Sequence, residues 1–222
     1  MHMPRPLSPS LTGRLGELGW PTHRHLCAVA LPGVLMIGVL SFFGDDYRKL
    51  IEDAASYTQQ SSYLGLFSNL GILGWWTAAV AAGMAAFLLP PQRAERAPLL
   101  YAALLTAWLA LDDLFLLHEG IVRNRLGVPE EVWFAAYAAM LGIYVWRYRF
   151  FHLRRDPLML LLALGLMAAS IVVDVFFAKT VAYRRLASVT EEAAKFAAIA
   201  CWMLYHLDAA RDALRHRDRS PG

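Results

Sequence analysis

The sequence predicts an all-α fold: a polytopic membrane bundle of six transmembrane helices with both termini cytoplasmic. Of its 222 residues, 58% are hydrophobic and 18% are charged, against about 45–50% and about 25% in soluble domains. Six runs meet the requirement of ~20 mostly apolar residues for crossing hydrocarbon. Basic residues are also spread unevenly over alternate connections, as the positive-inside rule expects of a chain threaded through a membrane.

The runs cover residues 26–43, 64–89, 98–122, 132–148, 157–177 and 189–207. In lipid every backbone N–H and C=O must be paired within its own segment, so each run is expected as a helix. The period-two alternation of a barrel is absent. The first run follows a polar lead containing prolines and ends in SFFGDD. Cleavage sites favour small residues, so this run reads as a retained span. Between the first two runs, GDDYRKLIEDAASYTQQSSY is long for a helical connection. Leu50, Ile51 and Ala54 suit a short amphipathic helix there. The organisation is then a cytoplasmic N-terminal segment (1–25), a six-helix membrane domain (26–208) and a basic cytoplasmic tail (209–222). Cys27 and Cys201 fall inside spans and are expected to pack as small apolar side chains rather than to form a disulfide framework.

Thirteen Lys and Arg residues lie on one set of connections and termini, including Arg93, Arg96, Arg147, Arg149, Arg154 and Arg155, and seven on the other. This places both ends in the cytoplasm, and the expected location is the cell inner membrane. The formal charge of +3 expresses topology, and no nucleic-acid partner is expected. The lipid bilayer itself is the expected surrounding partner.

Polar residues set into these spans agree in depth. A helix rises about 1.5 Å per residue, so Asp112 and Asp113 in LALDDLFLLHEGIV lie ~21 Å from the cytoplasmic entry of their span, and His118 and Glu119 reach the outer interface. Asp174 lies at ~25 Å in the fifth span by the same rise. Glu191 and Glu192 open the sixth span from outside, with Lys195 one turn deeper, and Ser68 and Asn69 are expected about two turns into the second. Four spans thus carry unusual polar groups to the same outer third. Each ionisable group at depth costs at least ~2.5–3.5 kcal/mol on insertion scales, so the cluster must face the bundle interior and find partners. Residues seven apart share a helix face, which puts Glu119 on the face of Asp112.

Structural roles compete with functional ones at each position. Ser188 and Glu191 in SVTEEAAK match a capping box. Lys195 suits a helix-locking salt bridge to Asp112 or Asp113. Ser68 and Asn69 suit hydrogen bonds between helices. His206 is expected at the cytoplasmic interface, and Tyr63, Trp133 and Tyr205 in an aromatic belt. Adjacent aspartates at depth repel unless a cation, a proton or Lys195 intervenes.

YLGLFSNLGILGWW, then LDDLFLLHE, then a lone Asp in the fifth span, then EEAAKFAAIACWMLY together resemble an uncharacterised family of bacterial multi-pass membrane proteins. That likeness covers most of the chain and implies no established activity. Ser68–Asn69 followed by Asp112–Asp113 also partly resembles the alkaline ceramidase group of membrane metal-dependent hydrolases. That group has a late His pair one turn apart, where this chain has Glu191, Glu192 and Lys195. EEAAK is similar to the Glu-Glu motif of membrane-embedded proteases, without their downstream histidines.

The first functional expectation is a metal-dependent hydrolase of a lipid-like substrate at the outer leaflet. Asp112, His118, Glu119 and Asp174 would hold a divalent metal (Zn, Mg or Mn). Asp113, Glu192 and Lys195 would serve catalysis, and Ser68 and Asn69 would bind substrate. A metal in such a site activates water and polarises a carbonyl, and a carboxylate-rich donor set favours a hard cation. The alternatives are a cation- or proton-coupled transporter or channel, since intramembrane acids often mark ion pathways, and a non-catalytic membrane partner subunit.

Overall fold

The computed structural model describes residues 58–61, 65–117, 129–177 and 184–215, together with Val34 and Gly38, both helical. Two compact units divide the chain, Met1–Leu64 and Gly65–Gly222. Most of the first unit, including the first predicted span and the expected amphipathic helix, lies outside the described residues.

All regular structure described in the second unit is helical, in agreement with the predicted class: α1 (Leu66–Leu88), α2 (Arg96–Phe115), α3 (Glu130–Arg147), α4 (Arg149–Leu153), α5 (Leu158–Phe177) and α6 (Arg184–Arg215). By length and composition α1 and α2 can cross a membrane. The apolar stretches of α3 and α5 are shorter, at Val132–Arg147 and Leu158–Val173.

Local chemistry sets several boundaries. Gly65 precedes α1 at φ 69°, a left-handed conformation glycine adopts without penalty. At the other end Leu89 is extended, as the residue before Pro90 must tend to be. Arg96 Nε then donates to the Ala86 carbonyl at 3.2 Å and ties the tight turn to the end of α1. Asp156 Oδ1 accepts the Leu158 N–H at 2.9 Å. With Pro157 next in line this is an Asp-Pro start, a cap followed by a residue with no N–H to satisfy.

Two ends depart from expectation. The third run was expected to continue to residue 122, but α2 stops at Phe115, and Leu116 turns left-handed at φ 48°. Asp112 and Asp113 therefore lie in the last turn of α2, and Glu119, expected on the face of Asp112, lies outside the described residues. α6 begins at Arg184, which puts Ser188 in its second turn, so the SVTE stretch is not an N-terminal capping box.

α6 packs along both α5 and α1, and α1 packs along α2. α1 and α6 run in the same direction: Phe67 meets Phe196, Gly71 and Gly74 meet Ile199, and Trp75 meets Trp202. A Cβ on Gly74 would stand 2.9 Å from Ile199 Cγ2, so this approach requires glycine. The core between α1, α2 and α6 is built on alanine, including Ala78, Ala82, Ala85, Ala102, Ala110 and Ala209. Such small side chains allow close helix contact, which in membranes rests on van der Waals packing. The outer face of α1 is apolar as well: Leu73, Val80, Met84 and Phe87 are 53–85% exposed. A helix apolar on every side belongs in a large core or in lipid.

Candidate functional site

Ser68 and Gly71 of α1, Asp113 of α2 and Glu192 and Lys195 of α6 line one pocket, with Phe67, Phe196 and Ile199 as its apolar walls. The space is a shallow cleft, half open to the surroundings, with room for little more than a water molecule between its walls. α1 and α6 face each other in parallel here, while α2 arrives antiparallel and delivers Asp113 from its last turn.

Asp113 organises the pocket. Lys195 Nζ donates to its Oδ1 at 2.9 Å, and the indole Nε1 of Trp75 donates to its Oδ2 at 2.9 Å. The side chains of Asp113 and Lys195 are 13% and 32% exposed, so the pair is shielded from water without being fully enclosed. A hydrogen-bonded ion pair of this kind offsets the cost of placing either charge in an apolar frame. Of the two partners open to Lys195 on sequence grounds, Asp113 is the one it takes.

Asp112 faces elsewhere. It is 2% exposed and hydrogen-bonded to the Tyr137 hydroxyl of α3. That hydroxyl in turn accepts the Trp133 indole N–H at 2.7 Å. Adjacent helical residues diverge by about 100°, and the two aspartates accordingly serve two different interhelical contacts.

The other predicted site residues divide. Ser68 and Glu192 line the pocket with Asp113 and Lys195. Ser68 lies in the first turn of α1, shallower than expected. Asn69 is exposed and is not among the lining residues. Asp174 lies in the last turn of α5, but its side chain is outside the described residues, as are His118 and Glu119. Among the described residues no group of three or more His, Cys, Asp and Glu could hold a metal ion. The geometry gives the reason: both Asp113 oxygens have donors, and Asp112 turns toward Tyr137. The described residues do not fit a divalent cation centred on this pair.

A second polar cluster, toward the opposite ends of these helices, was not expected. His206 is fully buried, which corrects its expected interfacial place. Its Nδ1 lies 2.9 Å from the Trp202 carbonyl, which can only accept, so Nδ1 carries the proton. Nε2 is then the acceptor for the Tyr144 hydroxyl at 3.0 Å. Tyr205, expected in an aromatic belt, is instead buried, with its hydroxyl 2.6 Å from His152 Nδ1. Trp202 donates to Thr106 Oγ1 at 3.0 Å. Tyr144 stacks on Tyr101 with ring centroids 5.5 Å apart. One signal for this cluster was present in the sequence: Trp202, Tyr205 and His206 stand at i, i+3 and i+4 and share a face of α6.

Between the pocket and this cluster stand Trp75 and Trp202, edge to face at 6.1 Å. They are 3% and 2% exposed. Each lies one turn along its helix from the last pocket residue, Gly71 or Ile199.

His152 sits on the short α4 connection, outside the spans. Burial, with help from the nearby Arg155 charge, pushes its pKa down to about 4. The unfolded chain takes up this proton near pH 6.5, whereas the folded chain resists until about pH 4. Stability is therefore full above pH 6.5 and falls as pH drops toward 4, by up to about 3 kcal/mol. Thermal unfolding of the detergent-solubilised protein across this range should show the loss, and His152→Phe should reduce its slope. Equal slopes for the two proteins would refute the assignment.

The fold and site define a class: an all-helical protein, with at least two helices fit to span a membrane, whose α1, α2 and α6 converge on a charged pocket. The chain belongs to the family described as Domain of unknown function (DUF8692), whose model matches residues 26–209. This accords with the expected membership of an uncharacterised family. No curated protein and no solved structure matches the chain.

Proposed function

We propose that the chain is a multi-pass protein of the cell inner membrane, and that its pocket takes the polar end of a lipid-like molecule on the outer side. The observation that carries this reading is the Asp113–Lys195 pair set among Phe67, Phe196 and Ile199. Ligand sites commonly pair apolar walls with a few placed polar groups. Here the walls are continuous with the exposed apolar face of α1, which in a bilayer meets acyl chains. An amphiphile can lie along that face and put only its polar end between α1 and α6.

A hydrolytic step would add Glu192 as general base and Ser68 as a hydroxyl contact to substrate.

Two measurements test the proposal. Alkaline carbonate should leave the full chain in the membrane pellet, and its release would refute the multi-pass reading. Lipid extraction from protein purified in mild detergent should yield bound lipid. The Ser68→Trp variant, which fills the pocket from an exposed position, should lose most of it while staying folded. The same lipid in the same amount on both proteins would refute the pocket as its site.

A further inference from the structure

We propose that the group the pocket recognises is an organic ammonium, with Glu192 as its counter-charge and the Phe67 and Phe196 rings as its walls. This rests on the amphiphile reading above and narrows its chemistry.

Charge comes first. Asp113, Glu192 and Lys195 are the ionisable groups lining the pocket, one cation against two anions. Lys195 stands 2.9 Å from Asp113, and that pair is close to neutral as seen from the opening. What remains is the exposed carboxylate of Glu192, so the pocket favours a positive guest. A free phosphate or carboxylate would meet a net negative lining whose one cation already has its anion.

Ring geometry comes next. Phe67 and Phe196 stand edge to face, 6.1 Å between centroids and 79° between planes. Both remain open, at 67% and 39% exposure. Two inclined rings beside a carboxylate are the parts from which alkylammonium sites are made, since each ring face attracts a cation through its quadrupole. Phe67 lies in the first turn of α1 and Phe196 one turn below Glu192 on α6, so rings and carboxylate come from two helices that run in parallel. Ser68 supplies a hydroxyl for a neighbouring oxygen of the guest. Primary and quaternary ammonium headgroups both satisfy this pattern. The source is either a lipid headgroup or a free amine.

Native mass spectrometry of the full, delipidated chain in detergent separates the outcomes. The probes are phosphatidylethanolamine, phosphatidylcholine, phosphatidylglycerol, and free ethanolamine and choline. Phosphatidylglycerol carries the phosphate without the ammonium. At least one of the two ammonium lipids should be retained about fivefold or more over phosphatidylglycerol. Glu192→Gln should erase that preference without changing the melting temperature, because Glu192 is exposed. Phe67→Leu should weaken retention about threefold. Equal retention of all three lipids by the wild type would overturn the ammonium inference and leave the amphiphile reading standing. Free amines that bind in a Glu192-dependent way while no lipid is retained would uphold the ammonium and overturn the lipid reading. Retention of no probe at all would overturn both.

Discussion

Lys195→Met should destabilise the protein by on the order of 2–4 kcal/mol, because it leaves the Asp113 carboxylate shielded from water with only the Trp75 indole to hold it. The figure lies toward the low side of that for fully buried pairs, since Lys195 keeps 32% of its side chain exposed. Asp113→Asn should cost less, because the Lys195 side chain is 32% exposed and its charge can be hydrated. The double variant Asp113→Asn/Lys195→Met removes both charges and should recover to within about 1 kcal/mol of the wild type. Unfolding in mixed micelles gives the comparison. A double variant no better than either single one would show that the pair does not act as a unit. Full stability in Lys195→Met would show that the 2.9 Å contact contributes nothing.

The second large effect belongs to His206. His206→Leu leaves the Tyr144 hydroxyl buried without its acceptor and should cost about 2–3 kcal/mol. Tyr144→Phe instead strands Nε2 and should cost about 1–3 kcal/mol. Because the two share one hydrogen bond, the combined variant should lose less than the sum. A nitrogen-detected spectrum supplies a readout that packing alone would not move: Nδ1 should be the protonated ring nitrogen of His206. A protonated Nε2 would reverse the assigned direction of both bonds. Additive losses would place the two residues in separate roles.

Much of the fold was legible in the sequence, because hydrophobic runs report what must be kept from water. α1, α3 and α5 fall within two residues of the predicted spans. α6 was underestimated at both ends. Its polar turns, from Arg184 and again through Asp208 to Arg215, continue the helix beyond the apolar run, and hydropathy does not register helices outside lipid. The end of α2 was overestimated for the opposite reason. Leu116 and Leu117 are good helix formers, and nothing in their chemistry announces a left-handed residue.

In the site, level along the packed helices was legible and rotation was not. Counting residues brought Ser68, Asp113, Glu192 and Lys195 to one level, and they do line one pocket. Which of two neighbouring aspartates meets Lys195 depends on how α2 is turned about its axis, and hydropathy carries no signal of that rotation. His206 was misplaced because position along the helix was taken for position relative to water. It lies near the end of the apolar run, yet Tyr144 covers it from α3. Trp75 was missed because an indole N–H reads as hydrophobic bulk until a carboxylate is found opposite it.

The crossed indoles of Trp75 and Trp202 have a bearing on traffic. On the reading proposed above, a guest that enters beside Phe67 meets, among the described residues, these two indoles one turn further on. In vesicles holding the protein in a single orientation, such a guest would be taken up when offered to one leaflet and ignored when offered to the other.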